Sequence, residues 1–328
     1  MRTIASLAVV LSGLTALSCL RAADAEKAVA YADPAKTDAD FPFQGEYSGE
    51  TERDGQKVKV GVQVVSLGGG KFDAVAYIGG LPGDGWDKSE RRKGSGELAG
   101  DTVTIRGAEG AATIKDGVLT ALNTGGDAIG KLNKVERKSP TLGEKPPAGA
   151  IVLFDGSTAD AWEGGRITDD GLLQEGVTSK QKFASCQLHV EFRLPYMPAA
   201  RGQGRGNSGL YLQGRHEVQM LDSFGLEGKD NECGGLYEVR SPEVNMCYPP
   251  LAWQTYDVDY TAAEYADGKR VKKATITVRH NGILVHENVE LPRASRGAPV
   301  ADGHDKGPIH LQNHGNPVRY RNIWIVEK

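Results

Sequence analysis

The sequence predicts an all-β protein in two parts: a smaller antiparallel β domain over residues 41–136, then a larger β-sandwich or jelly roll over residues 150–328. Three observations carry that reading. Glycine supplies 43 of the 328 residues and proline 15, a glycine share about twice the globular average, which disfavours long helices. Short runs of alternating polar and apolar residues recur along the chain, each broken by a glycine or proline turn. No segment carries a convincing helical period. The glycine follows no three-residue repeat and 39% of residues are hydrophobic, which excludes collagen and intrinsic disorder. A net charge of −4 and an isoelectric point near 6.0 give no basic field for phosphate backbones. Nucleic acid is therefore excluded as a partner, and neutral, hydroxyl-rich ligands stay open.

In chain order, residues 1–25 combine Arg2, an apolar run from Ile4 to Leu17 and the small-residue pattern Ala23-Asp24-Ala25. This reads as a cleaved secretory signal, so a secreted or periplasmic protein is expected. The run is too short for a span, and no later stretch reaches the ~18 apolar residues a transmembrane segment needs. Cys19 follows Ala16-Leu17-Ser18, a poor match to a lipid-attachment box, so lipoprotein anchoring is not the expectation. Residues 26–40 are polar and aperiodic and read as a flexible lead. Runs from Lys57 to Val65, Lys71 to Ile78, Asp101 to Ile105 and Gly117 to Leu122 give the strands of the small domain. The charged cluster Lys88 to Lys93 reads as a solvated loop. Pro140, Pro146 and Pro147 mark residues 137–149 as a Pro-rich interdomain linker. Strands of the larger domain are expected at 187–194, 208–213, 217–221, 256–260, 274–279, 283–286, 309–312 and 323–326. Between two of them, Asn281-Gly282 signals a hairpin, because both residues tolerate positive φ.

Three cysteines remain after the leader. Cys233 and Cys247 bracket a turn-rich loop that a crosslink would restrain, so a Cys233–Cys247 disulfide is expected in an oxidising compartment. Cys186 shares its alternating face with Leu188 and Val190 and reads as a buried free thiol. No close Cys-x-x-Cys pair supports zinc. Strand parity then sorts the polar residues. With Val218 and Met220 facing the core, Glu217 and Gln219 share the opposite face; with Leu210 and Leu212 inward, Asn207, Tyr211 and Gln213 face out. Ile309 and Leu311 likewise leave His310, Gln312 and His314 outward. Amides, an aromatic ring and a carboxylate on one face suit sugar recognition, since planar amides bond hydroxyl pairs and rings cover a pyranose. The Gly-rich segment Arg201 to Gly209 lacks the Lys-Ser of a phosphate loop and opens a strand, so its glycines read as a tight approach to that strand. Ser208 lacks a nucleophile-elbow motif.

Several motifs resemble the 3-keto-disaccharide hydrolase domain family. They are Leu153-Phe154-Asp155-Gly156-Ser157 with Trp162, Glu191-Phe192-Arg193, Gly206 to Leu212, Glu217 to Asp222, Trp253-Gln254-Thr255-Tyr256, Gly307 to Gly315 and Val318 to Ile323. The match runs over residues 150–328 in the family's motif order; residues 26–149 share none of it. The resemblance implies a concanavalin-like β-sandwich jelly roll with ligands on its concave face. It also implies cleavage of glycosides whose sugar is oxidised to a ketone at C3. Two departures stand out: Asn313 where the family has Asp, and the cysteine-bearing loop from Cys233 to Cys247.

That chemistry assigns roles to the residues. A C3 ketone acidifies the C2 proton, a base removes it, the C1 substituent leaves, and water adds to the enone. Glu217 or His314 would be the base and the other would assist departure. Arg193 or Arg205 would stabilise the enolate oxygen. Asn207, Gln219 and Gln312 would hold hydroxyls, with Tyr211, Asp222 and Arg321 as further substrate contacts. No cofactor is certain; a divalent cation, Ca2+ included, held by Glu217, His314 or Asp222 is an alternative electrophile. The expected partner is an oxidised carbohydrate. A non-catalytic lectin using the same face is the alternative function, and a cell-surface scaffold without sugar binding is a third.

Overall fold

The computed structural model describes residues 29–328. The expected leader over residues 1–25, with Cys19, lies outside the described residues, and no helix among those described is long and apolar enough to cross a membrane. Eight antiparallel strands running from Gly45–Arg53 to Ala128–Val135 form a closed barrel. Each strand pairs with the next, and the first closes on the last, with Glu46 opposite Val135 and Thr51 opposite Gly130. Closure removes the exposed edges that an open sheet would leave. Gly49 is required where these strands meet, because a Cβ there would come within 2.3 Å of the Lys131 carbonyl oxygen. The segment Lys88 to Lys93, read as a loop, enters the strand Arg91–Ala99, where its charges ring the barrel rim.

The rest of the described chain is a sandwich. Its front sheet orders five strands as Trp162–Glu163, Val177–Phe183, Gly307–Leu311, Ser208–Leu212 and His216–Met220. Its back sheet runs Leu173–Gln174, Arg319–Glu327, Cys186–Arg193, Trp253–Thr261, Ala274–His280 and Ile283–Leu291, with Ile151–Phe154 added beside Arg319–Glu327. The Asn281-Gly282 hairpin forms as expected, with His280 opposite Ile283 and φ values of 51° and 79°. Alternation builds the core between the sheets: Leu210, Leu212, Val218, Met220, Ile309 and Leu311 from the front meet Leu188, Val190, Phe192, Tyr256 and Val258 from the back. The barrel keeps a separate core around Tyr47, Val64, Phe72, Val103 and Ile114.

Two segments differ from expectation. The lead, as far as it is described, is held against the sandwich: Tyr31 and Tyr196 exchange both backbone hydrogen bonds at 2.9 Å, and Tyr196 Oη donates to Asp38. The Pro-rich segment after the barrel docks on the back sheet. Ser139 Oγ lies 2.6 Å from Thr255 Oγ1, Gly143 N–H donates to Glu191, and Trp324 and Asn322 donate to the Glu144 carbonyl. Composition sees the polarity of both segments but not the backbone groups that anchor them. The expected Cys233–Cys247 crosslink is likewise absent. All three thiols are free and buried, and Cys233 Sγ lies 3.2 Å from Tyr256 Oη while Cys247 faces the Leu221 and Tyr248 carbonyls. Leu236 and Met246, packed into the sandwich core, restrain this loop without a crosslink.

Candidate functional site

The outer face of the front sheet gathers the polar set. Antiparallel register sets Tyr211 directly opposite Glu217, and Tyr211 Oη donates to Glu217 Oε2 at 2.7 Å. Gln312 Nε2 donates to the same phenol oxygen at 3.2 Å, so carboxylate, phenol and amide form one chain. Gly209 makes room for it: a Cβ there would stand 2.1 Å from Glu217 Oε1. His310, on the next strand, sets its ring 5.6 Å from that of Tyr211 and engages Thr178 Oγ1 through Nδ1 at 2.9 Å. Burial lowers its pKa, so the imidazole is neutral at neutral pH.

A second amide cluster adjoins the first along the strand. Gln219 Nε2 donates to Asn207 Oδ1 at 3.1 Å, and Asn207 Nδ2 donates to the Gln203 carbonyl at 2.7 Å and its side-chain oxygen at 3.0 Å. Gln203 is a member that parity could not find, because it sits in the 3-10 turn Gly202–Gly204 and not in a strand. The Gly-rich approach to the strand was its only signal. Asn316, in the turn after the Gly307–Leu311 strand, accepts from the Asn207 backbone N–H at 2.8 Å.

Electrostatics single out Glu217. It is 3% exposed, and burial raises its pKa from 4.5 to about 7, with the Tyr211 hydrogen bond opposing the rise. Burial and the adjoining Glu217 carboxylate push the Tyr211 phenol up as well. A carboxyl poised near neutrality can accept a proton from carbon or return one.

Several expected members sit elsewhere. Arg205 pairs with Asp222, Nε to Oδ2 at 2.6 Å, and its Nη1 donates to the Ser66 carbonyl of the barrel, so both residues belong to the domain interface. Arg193 and Arg321 are on the outer face of the back sheet, stacked over Trp253 at 5.1 and 4.0 Å from its ring centroid. Arg193 donates to Ala32 O and Arg321 to Glu191, so neither reaches Glu217 across the core. Arg193, Arg205, Asp222 and Arg321, expected as enolate or substrate contacts, thus lie apart from the Tyr211–Glu217 pair. His314 is exposed in the turn after Leu311, with no hydrogen bond joining it to Glu217. Glu217, His314 and Asp222 therefore do not converge as cation ligands. Gln213 also leaves the face: φ of 53° breaks the alternation, and its side chain takes bonds from Tyr260 Oη and to Phe183 O.

Among the described residues, Glu144, His189 and Asp257 form a group close enough to hold an ion, on the back sheet. Burial alone would lower the His189 pKa, but Asp257, 2.6 Å from Nδ1, and Glu191 outweigh it and hold the value at about 9. Protonated, His189 bridges Asp257 and Glu191 as an ion-pair knot under the docked segment, and a metal would bind here only by displacing that proton.

The model of the 3-keto-alpha-glucoside-1,2-lyase-like domain family matches residues 149–326. A solved structure from Parabacteroides distasonis ATCC 8503, described as a candidate glycosyl hydrolase, is 34% identical and has a TM-score of 0.52; the match covers 56% of this chain and 85% of that one. A second structure from the same organism, described likewise, is 19% identical with a TM-score of 0.41, covering 55% of this chain and 94% of that one. No curated protein matches the chain.

Proposed function

The chain belongs to the 3-keto-alpha-glucoside-1,2-lyase-like family over residues 149–326, and from that membership we propose that it cleaves 3-keto-glycosides on the outer face of its front sheet. The observation that carries this reading is the Tyr211–Glu217 pair, a buried carboxyl with a pKa of about 7 set among amides. Glu217 takes the C2 proton of the 3-keto sugar, leaving an enediolate whose electrons expel the C1 substituent. Water then adds to the enone and restores the saturated sugar.

With both expected arginines placed elsewhere, neutral donors take the electrophilic role. The Gln219 and Gln312 amides bond the C3 oxygen as charge builds there. Tyr211, bridging Glu217 and Gln312, is the group able to return a proton to the departing oxygen. His310 and Gln312, half-buried where Glu217 is buried, form the entry. Asn313 does not argue against activity: it is exposed, and its Oδ1 accepts from Gly315 N–H at 2.8 Å, a turn bond an Asp would make equally. We propose, from the leader pattern over residues 1–25, that this activity is exported.

The test is incubation of the chain with a 3-keto-glucoside in deuterated water. Deuterium at C2 and release of the aglycone are expected, and both vanish in Glu217→Gln. A folded native chain that binds the sugar yet neither exchanges C2 nor releases the aglycone refutes the reading and leaves the lectin function in its place.

A further inference from the structure

Eight-stranded barrels are just wide enough for side chains to fill them, and this one is filled at one end only. Val64, Phe72, Val103 and Ile114 pack that end, and Phe43 closes it with its ring 6.2 Å from Phe72. Towards the other end small residues interrupt the packing, with Ala74 opposite Gly94, Ala112 opposite Ala121 and Gly107 opposite Gly110, while Val60, Ile78, Ile105, Leu119 and Leu132 complete an apolar wall. The space they enclose is a cavity of about 540 Å3, within the usual range for a small-molecule site. Ala76, Ile78, Ala112 and Ala121 are only partly buried although they line it, so their exposure is to the lumen.

The chemistry of the lining is selective. Apart from the Thr51 hydroxyl, side chains below the rim are apolar, so a sugar would enter with its hydroxyls unpaired. The cavity is therefore not an extension of the front-sheet site. Charges are confined to the rim, where Arg92 bonds Glu90 at 2.7 Å and Glu109 at 2.8 Å, a clasp that ties the start of one strand to the turn after the strand beside it. Glu90 also pairs with Arg53 at 3.1 Å, so the two carboxylates of the clasp meet two guanidinium groups, and with Arg91 and Lys93 beside them the rim offers both donors and acceptors to the polar end of a ligand. Both Arg92 pairs are solvent-accessible, so the clasp opens at little cost.

We propose that the barrel binds a mainly apolar small molecule, its body in the apolar lumen and its polar end at the charged rim around Glu90, Arg92 and Glu109. The proposal does not depend on the activity of the front sheet, and the family match at residues 149–326 does not reach this domain.

The full chain is titrated with N-phenyl-1-naphthylamine, a neutral probe whose fluorescence rises on leaving water. Saturable one-to-one binding is expected, with dodecanol displacing the probe at least about tenfold more effectively than glucose. Ala112→Phe and, separately, Ala76→Leu fill the lumen; each is expected to weaken probe binding by about tenfold or more while sugar turnover is retained. The proposal is overturned by absence of saturable binding, by displacement as strong with glucose as with dodecanol, or by undiminished binding in either folded variant. Should neither variant fold, the displacement series on the native chain decides alone.

Discussion

Replacing Glu217 by Gln is expected to abolish turnover and, above neutral pH, to stabilise the protein. The carboxyl is 3% exposed, and burial carries its pKa from 4.5 to about 7. In the unfolded chain the group ionises at about 4.3. Between those values the unfolded chain releases a proton that the folded chain retains, so each rising pH unit costs the folded state about 1.4 kcal/mol. The stability tied to neutral Glu217 is thus full below the unfolded pKa and gone once pH passes about 7, a loss of roughly 3 kcal/mol. Gln stays neutral throughout and keeps the acceptor that Tyr211 needs. For a domain of this size, 1 kcal/mol moves the melting midpoint by roughly 2–4 °C. Scanning fluorimetry of both proteins at about pH 5 and about pH 8 should therefore show Glu217→Gln gaining roughly 5–10 °C on the native chain between the two conditions. A difference in midpoint that is the same at both pH values refutes the reasoning, since ionisation of a buried carboxyl would then carry no cost.

Tyr211→Phe removes the donor that favours ionised Glu217, so the acidic limb of the kcat/KM profile on a 3-keto-glucoside should move up by about one pH unit or more. An unmoved limb would mean that Glu217 is not the titrating base. Arg321→Ala and Arg193→Ala, on the far sheet, should keep kcat within about twofold; a loss of about a hundredfold or more would place the reacting face on the back sheet. His189, with its pKa held at about 9, contributes stability that is full below about 6.5 and lost as pH rises through about 9. Its replacement by Gln should flatten the melting curve against pH across that window, and a native curve already flat there defeats the assignment.

Strand parity was legible wherever one side of a sheet faces the core. Leu210, Leu212, Val218 and Met220 could point only inward, which fixed Tyr211 and Glu217 as neighbours on the other face. The same rule failed at Gln213, where φ of 53° turns the side chain back between the sheets. It was also silent on the arginines. A long cation reports its partner only in three dimensions, and Arg205 with Asp222, or Arg321 with Glu191 and Trp253, are tertiary pairings between strands and loops far apart in the chain. Closure of the barrel was equally out of reach, since it depends on Glu46 meeting Val135 across the whole domain. So was its hollow end: alanine and glycine in a strand reveal a lumen only when the strands surround it.

Arg201 and Arg205 connect the two domains through the site loop. Arg201 donates to the Leu67 carbonyl at 3.0 Å and Arg205 to the Ser66 carbonyl at 3.3 Å, so the barrel holds the stretch 201–207 from behind. Between those anchors lies Gln203, whose side-chain and carbonyl oxygens orient Asn207 and, through it, Gln219. Val65, an outward-facing barrel residue, packs with Phe224 into the sandwich core beside the same interface. A site built on hydrogen bonds between neutral amides has no strong charge to fix its geometry, so its precision depends on how firmly the backbone beneath is held. The arginines supply that support as struts: fully charged groups would be costly to bury beside Glu217, whereas at the interface Asp222 and the barrel carbonyls satisfy them. The buried carboxyl of Glu217 keeps its raised pKa because no cation is near enough to lower it.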